Sequence, residues 1–224
     1  MEVKNLLDIR MKNYLKIVCL IFIFSSCKND GNNQVNNTKK NLKTKHSSER
    51  KEMIIHILPL GIVHATILDF IKKTIYDFYQ IECIIEPKKE LTTDILAASK
   101  TRYEASLILK KYNSTQNPLL ITEKDIAYNN YKKNVKEWGI FGLGFRPGNT
   151  CVVSTFRLKR KVSKAKFRER LQKVCIHEVG HNLGLPHCKN DPLCLMNDAS
   201  GTVSQVDKER IFFCTNCKKQ IGMK

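Results

Sequence analysis

Residues 177–188 read His-Glu-Val-Gly-His-Asn-Leu-Gly-Leu-Pro-His-Cys, with three histidines at fixed offsets. If this stretch begins as a helix, His177 and His181 lie one turn apart on the same face. Two imidazole nitrogens at that spacing can bind one tetrahedral Zn²⁺ at about 2.0–2.1 Å. Glu178 is rotated by about 100° from His177, so it can flank the metal without ligating it and act as the catalytic base.

The end of this stretch predicts a third ligand. Gly184 can adopt a positive φ at little cost and so stop the helix, and Pro186 prevents its resumption. The chain then turns back and offers His187. Three protein ligands with one position left for water are the arrangement of a catalytic zinc, whereas structural zinc sites are closed. The alternative is a set of surface histidines on an amphipathic helix with a glycine cap.

Four cysteines follow in two clips. Cys214 and Cys217 form a CxxC pair, and Cys188 and Cys194 form a wider one. Four thiolates from two clips favour a structural zinc with Zn–S bonds of about 2.3 Å. The alternative is two disulfides, which an exported protein permits. Because Cys188 directly follows His187, the two metal sites must lie close together.

Four further sulfur-containing residues have structural interpretations. Met196 lies just beyond Cys194, where a turn could pass beneath the histidines and form an apolar floor. The alternative for this methionine is an ordinary core side chain. Cys83, Cys151 and Cys175 lie in predicted strands or helix, so we expect them to be small buried residues.

The N-terminus has the features of an export signal. Basic residues including Lys12 and Lys16 precede an apolar run at 17–24, which is shorter than the roughly 20 residues of a spanning helix. Two serines then precede Cys27, and this arrangement resembles a bacterial lipobox. The resemblance implies cleavage before Cys27 and a lipid on its sulfur, which would anchor an exported lipoprotein on the periplasmic or cell-surface side of a bacterial membrane. The alternatives are an uncleaved anchor and an ordinary signal peptide.

The length of 224 residues allows one domain and a tail. We predict a signal peptide at 1–26 and a lipidated cysteine with a disordered tether at 27–51, because 28–50 has hardly any apolar side chain. The catalytic domain then spans 52–224.

The formal charge is +18 for the whole chain, and it would be +16 without 1–26, from 35 basic and 19 acidic residues. Such a charge can attract nucleic acid or anionic lipid. Scattered lysines and the lack of an RNA-binding signature favour a solvated surface instead. We therefore expect no nucleic-acid partner. The histidine pattern, rather than the charge, leads us to expect a peptide or protein substrate, and we expect a monomer.

Apolar patterns predict an alternation of strands and helices, which is typical of an α/β domain of two or three layers with a partly parallel sheet. The predicted elements are strands at 53–60, 81–86 and 118–122, a helix at 64–80, and one or two helices at 93–112.

A glycine-rich strand is predicted at 138–146, followed by a return strand at 151–156. Glycines weaken a strand unless something must approach it closely. We hypothesise that 139–146 is an exposed sheet edge beside the zinc cleft, where an extended peptide could pair. The alternative is a plain hairpin with glycine bulges. The basic stretch 157–173 could favour acidic substrates, but we expect a solvated helix face.

These residues together resemble the archaemetzincins, whose core reads HExxHxxGx3C, a second cysteine in CxM, seventeen residues and CxxC. One departure is that five residues, 189–193, separate the first two cysteines, where the family has four. A second is the leader, since the family is mainly intracellular. The matching residues are His177, Glu178, His181, Gly184, Cys188, Cys194, Met196, Cys214 and Cys217.

The resemblance implies a compact metzincin-like α/β (α+β) domain with a mixed, partly parallel sheet and a long active-site helix. It also implies a C-terminal segment held by a four-cysteine zinc site, two Zn²⁺ per chain, and metallopeptidase activity. The first alternative is a non-catalytic zinc-binding lipoprotein that retains the scaffold. The second is a basic protein that binds anionic surfaces.

Overall fold

The computed structural model describes residues 53–130 and 134–223, which contain eight strands and five α-helices. In chain order they are β1 (Ile54–Leu60), α1 (Ala65–Tyr79), β2 (Glu82–Ile85), β3 (Tyr103–Glu104), α2 (Ala105–Lys111), β4 (Pro118–Thr122), β5 (Ile126–Asn130), β6 (Val135–Ile140), β7 (Gly142–Gly144), β8 (Cys151–Ser154), α3 (Lys164–Asn182), α4 (Val203–Lys208) and α5 (Thr215–Gln220).

The predictions for the signal peptide, the tether and Cys27 lie outside the described residues. Within 53–130 and 134–223, no helix is both long enough and apolar enough to span a membrane.

The described strands form two sheets. The larger has the order β2-β1-β4-β8-β7, in which the first four strands are parallel and β7 is antiparallel to β8. The smaller has the order β3-β5-β6, with a parallel and an antiparallel pair. The predicted mixed, partly parallel sheet is therefore confirmed.

The larger sheet is the middle of three layers. Side chains alternate along β1, so Ile55 and Ile57 pack into the core beneath α1 and α3, while Leu58 and Leu60 pack with α2 on the other face. All five residues of β4 are buried. A parallel strand covered on both faces reads as a continuous apolar run, as β4 does.

Most predicted elements are confirmed to within a few residues, but two predictions were wrong in part. The 93–112 region contains a single 3₁₀ turn at Thr93–Ile95, the two-residue β3 and the short α2, rather than one or two helices over its length. The strand predicted at 138–146 is two strands, β6 and β7, which belong to different sheets. Buried Phe141 lies at the change of sheet and packs into the core beneath α1 and α3.

The expectation of a solvated basic face before the histidines was also wrong for two residues. Arg170 and Lys173 on α3 are only 6% and 3% exposed. Arg170 donates to Asp207 at 2.6 and 2.8 Å, and Lys173 donates to Glu169 at 2.6 Å. Buried cations require such partners, and the end of α4 supplies one of them.

Asp125 ties the smaller sheet to the end of β8. Its carboxylate accepts hydrogen bonds from Arg157 Nε at 2.7 Å and from Arg102 Nε at 2.9 Å. Arg102 also donates to the carbonyl oxygen of Glu137 on β6 at 2.8 Å. This network therefore joins β6 to the segment that follows β8.

Candidate metal centre

The first two histidines lie on the last two turns of α3, and a turn after the helix brings back the third. The helix ends at Asn182, and Gly184 adopts a φ of 103°, as the sequence predicts. The amide of Leu185 donates to the carbonyl oxygen of Gly180 at 2.9 Å, which closes the turn. His187 then faces the helix again.

The three imidazoles converge on one point. The potential ligand nitrogens of His177, His181 and His187 all lie within 4.8 Å of one another. Nδ1 of His177 and Nδ1 of His181 donate to the carbonyl oxygens of Leu195 and Leu185, each at 2.7 Å. A carbonyl can only accept, so these bonds fix the tautomer and leave Nε2 as the ligand atom.

The electrostatic setting keeps these rings neutral, which metal binding requires. Burial lowers the pKa of His177 to about 3 and the pKa of His181 to about 4. Burial also lowers the pKa of His187. A neutral imidazole retains the lone pair that a metal takes.

Glu178 lies beside this cluster with 7% of its surface exposed. Burial raises the pKa of its carboxyl group to about 8. A Cβ atom added to Gly142 on β7 would lie 2.5 Å from Oε1 of Glu178, so any larger residue would push the Glu178 side chain aside. A Cβ on Gly144 would lie 3.0 Å from the Glu178 carbonyl oxygen. The glycines therefore permit the close approach that the sequence suggested.

Met196 packs against α3 at Gly180, which lies between His177 and His181 in the chain. Its side chain is fully buried, and a Cβ on Gly180 would lie 2.7 Å from its sulfur. Its carbonyl oxygen accepts a hydrogen bond from the amide of Cys188 at 2.7 Å. The methionine thus packs between the helix and the segment that carries both His187 and the first cysteine.

The four cysteines form a second cluster. The sulfur of Cys188 lies 3.7 Å from that of Cys214, and the sulfur of Cys194 lies 3.8 Å from that of Cys217. All four are free thiols, which excludes the disulfide alternative in this structure. A tetrahedral zinc with 2.3 Å bonds would separate its sulfurs by about 3.8 Å, so the cluster fits that ion.

The extra residue between the first two cysteines does not keep the sulfurs apart. The loop 189–193 is closed by Asn197, whose side-chain amide donates to the carbonyl oxygens of Asp191 and Cys194 at 2.9 and 2.7 Å. Backbone amides also point at the sulfurs, since Asn190 donates to Cys188 and Cys214 to Cys194, each at 3.4 Å.

A cleft of about 840 Å³ runs past the histidines. Strand β7 and helix α3 border it, Arg146 lies at one end, and Lys173 and Glu209 lie at the other. Sequence reasoning missed these last two residues. Lys173 precedes His177 by one helical turn, and that spacing could have placed it in the cleft. No local sequence pattern marks Glu209 as a residue of the cleft.

The comparison with known families agrees with this geometry. The model of Peptidase family M54 matches residues 56–223. The chain belongs to this family. Among M54 relatives, the archaemetzincin of Archaeoglobus fulgidus is 31% identical over 169 residues, which are 75% of this chain and 99% of the relative. The archaemetzincin of Methanocaldococcus jannaschii is 31% identical in an alignment of 175 positions that covers 75% of this chain and 93% of the relative.

Solved structures of M54 proteins share the fold. The crystal structure of the Archaeoglobus fulgidus archaemetzincin complexed with malonate has a TM-score of 0.66 at 29% identity, and the match covers 75% of this chain and all of that one. The Methanopyrus kandleri archaemetzincin, at 23% identity and a TM-score of 0.63, supports the fold alone. The resemblance drawn from the sequence is confirmed, and the chain is a member of a zinc-dependent metallopeptidase family.

The contact between β7 and Glu178 generates a prediction. In Gly142→Ala the new methyl group would displace the Glu178 carboxylate, since the two would lie 2.5 Å apart. If Glu178 is the base that the sequence predicts, we expect peptidase activity to fall about a hundredfold, because small displacements of a reacting group are costly. Metal content and thermal stability, measured on the same preparation, should change little. Full activity in this variant would contradict the assigned contact.

Proposed function

We propose that this chain hydrolyses peptide bonds, with His177, His181 and His187 holding the catalytic Zn²⁺ and Glu178 acting as the general base. One observation carries the proposal. Three imidazoles, two of them with fixed tautomers, converge in an open cleft directly beside a buried carboxyl group. That combination supplies three ligands for a metal, room for water and substrate, and a base within the same helical turn.

The bound zinc supplies a Lewis acid that acidifies water and polarises the scissile carbonyl. Glu178 accepts a proton from the attacking water and later delivers it to the leaving amine. Burial raises the pKa of this carboxyl group to about 8, whereas a nearby divalent cation acts in the opposite direction. Burial thus favours uptake of a proton by Glu178, and the cation favours its release.

Strand β7 offers an edge for the substrate. The amide of Phe145 and the carbonyl of Phe141 bond to the β8 side, so by antiparallel alternation the backbone groups of Gly142 and Gly144 point away from β8. An extended peptide can pair with these groups. Antiparallel pairing is the commoner and slightly stronger arrangement, and we propose it here.

The chain direction of the bound peptide follows from that pairing. Gly142 lies against Glu178, and Gly144 lies against His181, so β7 and α3 run in the same direction. An antiparallel peptide therefore runs from the Arg146 end of the cleft towards the Lys173 end. The substrate residues that follow the scissile bond therefore occupy the Lys173 end of the cleft.

Substitution of the base tests the reaction. In Glu178→Gln we expect cleavage of a proteome-derived peptide library to fall by about 10²–10⁴-fold, the usual contribution of general acid–base catalysis. Zinc should stay bound, as checked by metal analysis. Glu82→Gln is the matched control, because it makes the same change on the exposed edge strand β2, at the other end of the sheet. Undiminished cleavage by Glu178→Gln would refute the role, and zinc binding without any cleavage by the parent chain would favour a non-catalytic binding protein.

We also propose a second, structural zinc on Cys188, Cys194, Cys214 and Cys217. Metal analysis should then give two zinc ions per chain. His181→Ala should lose one ion, whereas Cys217→Ser should lose the other and lower the melting temperature, because a closed zinc site contributes folding energy. Cys83→Ala, which removes a buried thiol far from the cluster in sequence, should retain both ions. An unchanged zinc count in Cys217→Ser would overturn this site.

We propose in addition that the domain acts at a membrane, held by a lipid on Cys27. The support is the sequence alone, in which a basic start, an apolar run and two serines precede that cysteine. Expressed in bacteria with labelled fatty acid, the chain should take up label and enter the detergent phase. Cys27→Ala should do neither, while the control Cys19→Ala, within the signal, should behave as the parent. Labelling of Cys27→Ala would reject the proposal.

A further inference from the structure

The end of the cleft beyond His177 forms a side pocket with charged walls. Lys173 and Val174, one turn before His177 on α3, line one wall, and Val206 and Glu209 line the other. The exposed indole of Trp138 packs against the Gly201 backbone at the rim, where a Cβ on Gly201 would lie 2.3 Å from its Nε1. The pocket lies where the peptide direction proposed above places the residue after the scissile bond.

Glu209 is an unusually placed acid for this pocket. It is 4% exposed, yet among the described residues its carboxylate accepts a hydrogen bond only from Gln205 Nε2, at 3.4 Å. That distance is at the limit of a useful hydrogen bond. A buried carboxyl group with so little support is costly unless a proton or a donor compensates it.

The nearby lysine does not supply that donor. Lys173 Nζ donates hydrogen bonds to the Glu169 carboxylate at 2.6 Å, to the Val206 carbonyl oxygen at 3.0 Å and to the Asp207 carbonyl oxygen at 3.4 Å. Lys173 affects Glu209 only through long-range electrostatics. It lowers the pKa of the Glu209 carboxyl group, whereas Asp198 raises that pKa.

The charge balance of the pocket is therefore negative. Of the described residues that line this end of the cleft, Asp198 and Glu209 are acidic and Lys173 is basic, and Lys173 is already paired with Glu169. This contrasts with the strongly basic chain as a whole. Burial raises the pKa of Glu209 to about 7, so an entering cation would find a carboxyl group that readily gives up its proton.

We infer that Glu209 is a specificity-determining residue that selects substrates with lysine or arginine immediately after the scissile bond. The long alkyl stem of either side chain passes between Val174 and Val206, and its charged head reaches the Glu209 carboxylate. That charged head donates a charge-assisted hydrogen bond to the carboxylate, which otherwise accepts only the long bond from Gln205. The indole of Trp138 at the rim can also attract a cation. This inference rests on the proposed peptidase function.

The first experiment compares cleavage of three peptides that differ only in the residue after the scissile bond, namely lysine, norleucine or glutamate. We expect the zinc-loaded chain to cleave the lysine peptide with a kcat/KM about tenfold or more above that of norleucine, the scale of one buried charged hydrogen bond. Glutamate should rank last. In Glu209→Gln the ratio of lysine to norleucine should fall towards one, while the Glu82→Gln control should keep the parental ratio.

Two outcomes of that experiment overturn the inference. One is a parent chain that shows no preference for lysine over norleucine, a measurement that does not depend on how any variant folds. The other is a preference that survives in Glu209→Gln with its zinc content and melting temperature intact, since selection would then arise elsewhere.

A binding measurement separates this inference from the proposed function. Two hydroxamate inhibitors, one with a lysine and one with a norleucine side chain for this pocket, are titrated into the zinc-loaded protein by calorimetry. The lysine compound should bind about tenfold more tightly to the parent and lose that advantage in Glu209→Gln. If no peptide is cleaved but this preference holds, the pocket assignment stands and the peptidase proposal fails. If peptides are cleaved but both compounds bind equally, the peptidase proposal stands and the pocket assignment fails.

Discussion

The rest of the structure depends on the contact between helix α3 and the edge strand β7. Gly142 and Gly144 let the strand lie so near the helix that a methyl group would meet the Glu178 side chain or backbone. This approach holds the carboxyl group beside the imidazoles and leaves the outer edge of β7 facing the cleft. The sheet beneath is rigid because β4 and β8 are buried along their length, so the strand cannot retreat without disturbing the core.

The two clusters of metal ligands are built as one unit. His187 and Cys188 are adjacent, and their side chains join different clusters. The Cys188 amide bonds to the carbonyl oxygen of Met196, whose side chain packs against α3 beneath the histidines. An ion held by the four sulfurs would therefore fix the backbone that presents the third histidine. Folding of the C-terminal segment and assembly of the histidine cluster are thus coupled in two ways. His187 and Cys188 are adjacent in the chain, and Met196 contacts both the helix and the Cys188 amide.

Buried charge shapes the far end of the cleft. Arg170 and Lys173 extend from α3 into the interface with α4, where carboxylates and carbonyl oxygens satisfy them. Glu209 lies nearby without such support. At this end of the cleft, the described residues include two buried cations with full sets of partners and one buried acid, Glu209, that is almost unpaired. This local charge differs in sign from the net charge of the chain, and the specificity proposed above rests on it.

The histidine spacing, the glycine that ends α3 and the paired cysteine clips could all be interpreted from the chain, because each is a short-range pattern with a direct geometric meaning. The apolar strands β1 and β4 were predictable for the same reason. Tertiary structure alone decided that 138–146 divides between two sheets, that Asp125 joins the smaller sheet to the end of β8, and that Lys173 is buried. It also decided that Glu209 reaches the cleft, more than thirty residues along the chain from Lys173. These outcomes depend on which distant surfaces cover a residue, and burial by a distant partner leaves no periodic signal in the sequence.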